Sequence, residues 1–194
     1  VTMSVDWEHI PAKHRQLIKA FLDEADMSAD AIKTVDFPPA YGADIVVSCE
    51  KAKDPKNGSI YLKPTQIVLG IGCRRDTAFE NIDRAIRQSL LKLQIDISDI
   101  DMIASIDVKK DEPGIKEFCE RNRIEFVTYT ADELMAVQGE FSASQFVREH
   151  VGVDNVCERA AVLACSRECN KAGELIYKKH KYDRVTVAAA RYPD

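Results

Sequence analysis

From Gln66 onward the sequence alternates between apolar, β-branched runs and amphipathic helical stretches, and this alternation narrows the fold more than any other feature. The runs IVLGIG (67–72), DMIASID (101–107) and IEFVTY (124–129) are separated by segments of helical periodicity, about 78–93 and 113–121. Strands that alternate with helices form a parallel or mixed sheet covered on both faces, because each parallel connection needs a crossover long enough to return to the same edge. Further helical segments are expected near 131–137, 143–151 and 156–170. ELIYK (174–178) and RVTVAAA (184–190), joined by a short basic turn, close the chain as an antiparallel addition at one edge. The expected fold class is α/β, with three layers (α/β/α) around a mixed, mostly parallel sheet over residues 67–194.

Residues 1–66 read as a short helical and strand appendage. In PAKHRQLIKAFLDEA (11–25) a proline suits the first helical turn, and Leu17, Ile18, Phe21, Leu22 and Ala25 recur at helical spacing. FPPAYG (37–42) breaks any continuation. DIVVSC (44–49) and IYL (60–62) then flank DPKNGS (54–59), where Asn57-Gly58 supplies positive φ cheaply, so a hairpin or looped strand pair is expected. A chain of 194 residues is enough for one substantial core, and it contains no internal repeat.

Charge and cysteine usage exclude several functions. With 27 Lys+Arg against 32 Asp+Glu the net charge is −5, so the basic footprint of a nucleic-acid binder is missing and an anionic partner must be met locally. No run approaches the length of a membrane span, and VTMSVDWEHI lacks the succession of a signal peptide. The six cysteines (49, 73, 119, 157, 165, 169) do not form the dense framework of a small secreted domain, so reduced thiols and a cytoplasmic setting are expected. The chain begins with Val1, as a trimmed, tagged or excised sequence would.

Three junctions carry chemistry-bearing residues. In IVLGIGCRRDTA (67–78), Gly70-x-Gly72 matches only half of a dinucleotide fingerprint, since Arg75 takes the third glycine's place. A strand feeding a helix still favours an anion, through unpaired N–H groups and the dipole. Arg74 and Arg75 either grip a carboxylate or phosphate, or pair with Asp76 or Glu80 and decorate a tight turn. Cys73, beside two arginines and a helix start, is expected to have a lowered pKa, although a small buried turn residue is the plainer reading. In ASIDVKKDEPG (104–114), Ser105, Asp107, Lys109, Lys110 and Glu112 offer acid, base and cation beyond a second strand, where ligands of open α/β sheets collect. The same residues also make an ordinary helix start at Pro113. KAGELIYKKHKYDR (171–184) sets five Lys/Arg against two acids at a turn, as a solubilising feature or an anion clamp.

Other patterns are less directive. Thr77/Glu80, Thr130/Glu133, Ser142/Gln145 and Asn155/Glu158 have capping-box spacing, which gives each a structural role worth about 1 kcal/mol. Cys157, Cys165 and Cys169 fall near one helix face, as metal ligands or as small buried residues without a CxxC partner. His9, His14, His150 and His180 show no ligand grouping, and no G-x-S-x-G elbow exists.

LGIGCRRDT (69–77), IASIDVKKDEPG (103–114), FVREHVGVDNVCERAA (146–161) and RVTVAAAR (184–191) together resemble the C-terminal domain of the CbiG/CobE family of cobalamin biosynthesis. ADIVVSC (43–49) with IYLKPTQ (60–66) resembles the segment that precedes it. Residues 1–40 show no likeness to the further N-terminal domain of CbiG proteins, and Arg159 stands where many relatives have proline.

The resemblance implies an anionic corrinoid precursor as ligand, with neighbouring pathway enzymes as possible partners and neither nucleic acid nor membrane. It also implies a reaction, the opening of the ring A δ-lactone of cobalt-precorrin-5A with loss of acetaldehyde. The expected substrate contacts are Gly70, Gly72, Cys73, Arg74, Arg75, Thr77, Ser105 and Lys109, together with the N–H groups that start helix 78–93. Asp107 and Glu112 are the candidate bases, with Lys109 or Arg74 as electrostatic stabilisers. Cobalt is expected only inside the macrocycle, with no metal ligand or cofactor from the protein. The alternative is a CobE-type module that binds a precorrin and passes it on without reacting.

Overall fold

A computed structural model describes residues 1–10, 12–26, 32–39, 43–48, 59–62, 64, 66–143, 152–169 and 171–193 of the chain. It divides into two compact units, Val1–Pro64 and Thr65–Pro193.

The first unit is a parallel sheet. Its elements are β1 (Thr2–Val5), α1 (Ala12–Asp26), β2 (Lys33–Val35), β3 (Ile45–Val47) and β4 (Ile60–Leu62), with strand order β2-β1-β3-β4. The expected hairpin does not form, because β3 and β4 run parallel with Ile45 opposite Ile60. A parallel pair needs a crossover, so the turn chemistry of Asn57-Gly58 cannot join them directly; residues 49–58 lie outside the described set. Met3, Val5, Ile10 and Val47 form the core, against which Ile18 and Leu22 of α1 pack. The neighbouring row of α1 does not follow them inward: Leu17 and Phe21 are 61% and 51% exposed.

The second unit contains β5 (Ile67–Cys73), α2 (Phe79–Leu93), β6 (Ile100–Ile106), α3 (Pro113–Asn122), β7 (Glu125–Tyr129), α4 (Ala131–Met135), α5 (Val156–Cys169), β8 (Glu174–Lys181) and β9 (Val185–Arg191). The strand order is β7-β6-β5-β9-β8. β5, β6 and β7 are parallel, while β9 runs antiparallel between β5 and β8. This is the mixed, mostly parallel sheet expected. The alternation of side chains along each strand divides the core in two. Leu69, Ile71, Ile103 and Val187 pack with Ile82, Ile86 and Leu90 of α2 and Ile115 and Phe118 of α3. Val68, Ala104, Ile106 and Ala190 pack on the other face with Ala160, Ala161 and Ala164 of α5. Helices on both faces give the three layers.

Small residues decide how close α5 comes. A Cβ added to Gly70 of β5 would lie 1.7 Å from the Cys157 carbonyl oxygen, and one on Gly173 would lie 2.5 Å from Cys165 Cβ. The expected helix over 143–151 falls almost wholly on residues outside the described set.

Candidate ligand-binding site

Parallel strands bring their following loops to one edge. Beyond β5, β6 and β7 of the larger unit lie residues 74–78, the turn Asp107–Glu112 and Thr130. β9 contributes its beginning to the same edge, since Val185 pairs with Cys73. The β8–β9 turn therefore joins the loop after β5: the Arg74 amide donates to the Arg184 carbonyl at 3.0 Å, and Arg184 Nη2 donates to the Arg75 carbonyl at 2.9 Å.

This arrangement exposes three arginines, Arg74, Arg75 and Arg184, along one rim. Neither Asp76 nor Glu80 takes the role of partner, and among the described residues no carboxylate lies within ion-pair distance of any of the three. The two basic stretches read separately from the sequence thus become one cationic rim. Lys110 and Asp107 are exposed on the adjoining turn.

Beneath the rim, the loop that leads into α2 already holds an anion, and it is the protein's own. Glu112, 6% exposed, accepts from the Thr77 amide at 3.1 Å through Oε1 and from Lys109 Nζ at 2.9 Å through Oε2. Gly114 presses the start of α3 onto the same place, where an added Cβ would lie 2.3 Å from the Thr77 carbonyl oxygen and 3.2 Å from the Phe79 amide nitrogen. The Thr77 amide is therefore taken by Glu112. Glu112, expected as a base, has both oxygens engaged in a clamp between two loops, and Lys109 is its counter-ion.

Several other expected site residues have structural partners. Ser105 is buried and donates to the Ile71 carbonyl at 2.7 Å. Thr77 does not form the capping box with Glu80, because α2 starts at Phe79 with Ala78 as its cap, and the Thr77 hydroxyl donates instead to the Arg74 carbonyl at 2.7 Å. Gly70 lies under α5, and a Cβ on Gly72 would meet the Thr186 hydroxyl at 2.6 Å. Cys73 is half-buried, and burial pushes its thiol up to about 11, against the lowering influence of Lys109. The expected low pKa is therefore reversed, since loss of hydration outweighs the nearby cations.

The start of α5 approaches the same edge: the Cys157 thiol hydrogen-bonds with Thr186, which pairs with Gly72, and lies 3.4 Å from Asn155 Oδ1. Asn155 caps the helix by accepting from the Glu158 amide at 2.9 Å. Glu158 does not complete that capping box. Fully buried, its carboxylate accepts from the Ser142 amide and hydroxyl, both at 2.8 Å, and from the Lys179 amide at 2.6 Å. Of the expected boxes, Thr130/Glu133 forms in full, while Gln145 of Ser142/Gln145 lies outside the described residues. Cys157 and Cys165 are buried thiols, and among the described residues no His, Cys, Asp and Glu side chains gather as a metal site.

Arg159 shows what the departure from proline does here. It donates to Asp154 at 2.7 and 3.2 Å and to the Leu134 and Val137 carbonyls at 3.3 and 3.0 Å, and it stacks on Phe141 at 4.5 Å. The hydrogen bonds from Arg159 hold the Asp154 carboxyl below its ordinary 3.8. A carboxylate pKa lowered by folding stabilises the fold above the ordinary carboxylate range and loses that contribution as pH falls through the folded value. Asp154→Asn is expected to lower stability by about 2 kcal/mol at pH 7, with the gap from the parent protein closing as pH falls below 3.8. Urea midpoints at pH 7, 5 and 3 measure it, and a gap independent of pH would refute this account.

The family model described as Cobalamin synthesis G C-terminus matches residues 67–190. The cobalt-precorrin-5A hydrolase of Salmonella typhimurium is 38% identical over 102 residues, covering 53% of this chain and 29% of that protein. A probable cobalt-precorrin-5A hydrolase of Methanocaldococcus jannaschii is 33% identical over 137 residues, covering 68% of this chain and 42% of that protein. The chain thus spans less than half the length of these relatives. Among solved structures, CobE, a protein from the cobalamin (vitamin B12) biosynthetic pathway, superposes with a TM-score of 0.62 at 26% identity, covering 66% of this chain and 91% of CobE.

Proposed function

The chain belongs to the CbiG C-terminal family of cobalamin synthesis, and from that premise we propose that its larger unit binds the carboxylate fringe of cobalt-precorrin-5A in the course of lactone opening. The observation that carries this reading is the rim of Arg74, Arg75 and Arg184, exposed at the carboxyl edge of the sheet and unpaired with any described carboxylate. Guanidinium forks match carboxylates bidentately, and a macrocycle ringed with acetate and propionate groups offers several at once.

The reaction in this reading has two parts. Water adds to the lactone carbonyl and the ring C–O bond breaks, leaving a carboxylate and a freed hydroxyl. The hydroxyl then loses its proton as the adjacent C–C bond breaks, acetaldehyde leaves and the macrocycle takes the electron pair. Cobalt enters only inside the macrocycle, and the setting is the cytoplasm, where pathway enzymes that supply and consume the intermediate are the partners. Neither a nucleic acid nor a membrane enters this reading. Among the described residues no helix is long and apolar enough to cross a membrane.

The test is anaerobic titration of the chain with cobalt-precorrin-5A, followed by visible absorption, with acetaldehyde measured in the same samples. The double variant Arg74→Ala/Arg75→Ala is expected to weaken binding by about fivefold per arginine, since exposed charge-assisted contacts are worth on the order of 1 kcal/mol each. Added salt should reduce the difference. Unchanged affinity would sink the placement of the ligand. A second reading, a CobE-type carrier, is favoured by one observation: Glu112 and Ser105 are committed to partners, so the described rim presents binding groups rather than an activated nucleophile. Binding without acetaldehyde release would select it.

A further inference from the structure

The larger unit is hollowed beside the rim. β7 is the outermost strand on that side of the sheet, and α3 packs with α2 on the face above it. Ile124, Phe126 and Thr128 alternate along the strand, so all three turn to the α3 side. Lys116, Cys119, Glu120 and Arg123 follow helical spacing along the flank of α3 that faces them. Between the two rows lies an open groove of about 450 Å³, with Lys110 at the end nearest the carboxyl edge of the sheet. Small-molecule sites have volumes of this order.

Charge is uneven along this groove, which runs for about 13 Å at the rise of a strand from Ile124 to Thr128. Where β7 begins, Glu120 and Arg123 offset each other. At the other end Lys110 and Lys116 have no carboxylate beside them in the lining. Lys116 lies 3.8 Å from Asp111, with both side chains exposed, so solvent screens that pair. Lys110 has no carboxylate within ion-pair distance among the described residues, whereas its neighbour Lys109 is committed to Glu112. The floor is apolar: Ile124 and Phe126 are partly buried against the core, and burial pushes the Cys119 thiol up to about 12, so it is neutral at pH 7. An apolar floor with free cations at one end suits a flat, apolar body whose margin carries carboxylates.

We infer that the macrocycle held at the rim extends into this groove, where Lys110 and Lys116 receive carboxylates of its fringe and Phe126 underlies an apolar part of its margin. The inference rests on the proposed function above and deepens it, by naming where the ligand goes beyond the three arginines. Lys110 belongs to both places, since it sits on the turn that follows β6 and also lines the groove. The reach is short: only β6 separates β5 from β7, so about 10 Å divides the loops that follow them. The rim alone is an arc of charge open to any polyanion. A groove with an apolar floor adds selection by shape, which a polyanion without a flat apolar body does not satisfy.

The test is lysine footprinting of the intact chain, with and without cobalt-precorrin-5A under anaerobic conditions. An acylating reagent marks accessible amines, and mass spectrometry reads each site. With saturating macrocycle, Lys110 and Lys116 are expected to lose most of their labelling, while Lys92, in the last turn of α2 at the opposite edge of the sheet, keeps its rate. Lys116→Ala should weaken binding about fivefold, as the loss of one exposed charge-assisted contact does. Its only printed ion pair is loose, so the substitution leaves the fold in place. Unchanged labelling of Lys116 under a bound macrocycle, whether or not Lys110 is protected, overturns the inference and leaves the ligand on the rim alone. Full affinity in Lys116→Ala overturns it as well, and so does an equal loss in Lys92→Ala, which would be an effect of net charge. If the unaltered chain does not bind the macrocycle, the proposed function fails and the inference falls with it. Arg74→Ala/Arg75→Ala separates the two failures, because it tests the rim with the groove intact.

Discussion

Gly70→Ala is expected to be among the most damaging single-methyl additions in the larger unit. The added Cβ would sit 1.7 Å from the Cys157 carbonyl oxygen and 2.6 Å from its carbonyl carbon, so backbone rather than a flexible side-chain tip must move. Relief requires α5 to rise from the sheet by more than an ångström, and α5 buries Ala160, Ala161 and Ala164 against β5, β6 and β9 in the same contact. Overfilling a packed core costs about 1–3 kcal/mol where side chains can adjust. Displacement of a whole helix puts this case above that range, at about 4 kcal/mol, a large share of the roughly 5–15 kcal/mol that holds a domain together. The urea midpoint should fall steeply, and a variant insoluble at 37 °C would be consistent with it. A midpoint within error of the parent protein would mean that α5 does not lie on β5 as described. Gly72→Ala is the internal contrast: there the obstacle is the Thr186 hydroxyl at 2.6 Å, which a rotamer change removes, so a much smaller loss is expected.

The two glycines also mark where sequence reading reaches its limit. As a pair they suggest a phosphate cradle, because G-x-G after a strand is a local pattern and local patterns are what a sequence displays. The reason for Gly70 is a helix far downstream, and nothing near residue 70 announces its approach. The same division holds elsewhere. The described strands and helices of residues 67–191 were legible because their periods are written in consecutive residues, and so was the antiparallel closure, which a short turn dictates. The parallel pairing of β3 with β4 was not, since Asn57-Gly58 advertises a hairpin while strand direction is set by how the whole sheet assembles.

At the candidate site, residue types were legible and their partners were not. Arg74, Arg75 and Arg184 were each visible as cations, but only β9 pairing along β5 makes them neighbours. Glu112 read as an available carboxylate beside a proline. In the structure it reaches back to the amide of Thr77, just before α2, a partner that nothing near residue 112 announces.

Glu158→Ala is the second large effect expected, and it bears on how the rim is held. The carboxylate is fully buried and receives three donors: the Ser142 amide, the Ser142 hydroxyl and the Lys179 amide. It therefore joins the start of α5 both to the segment after α4 and to β8, whose following turn carries Arg184. Truncation leaves two backbone N–H groups without an acceptor and opens a cavity, and breaking a buried, charge-assisted cluster from one side costs about 3–5 kcal/mol. Glu158→Gln keeps the volume but must point an amide group at donors, so it should recover only part of the loss. Thermal unfolding reads the total effect, and amide hydrogen exchange at Ser142 and Lys179 reads its location. Both amides should exchange faster in Glu158→Ala, while the Thr77 amide, held by Glu112 on the opposite face, should change only with global unfolding. Equal acceleration at all three would mean that Glu158 supports the fold as a whole. Confined acceleration together with weaker macrocycle binding would make it the residue through which the N-terminal turn of α5 keeps the cationic rim in place.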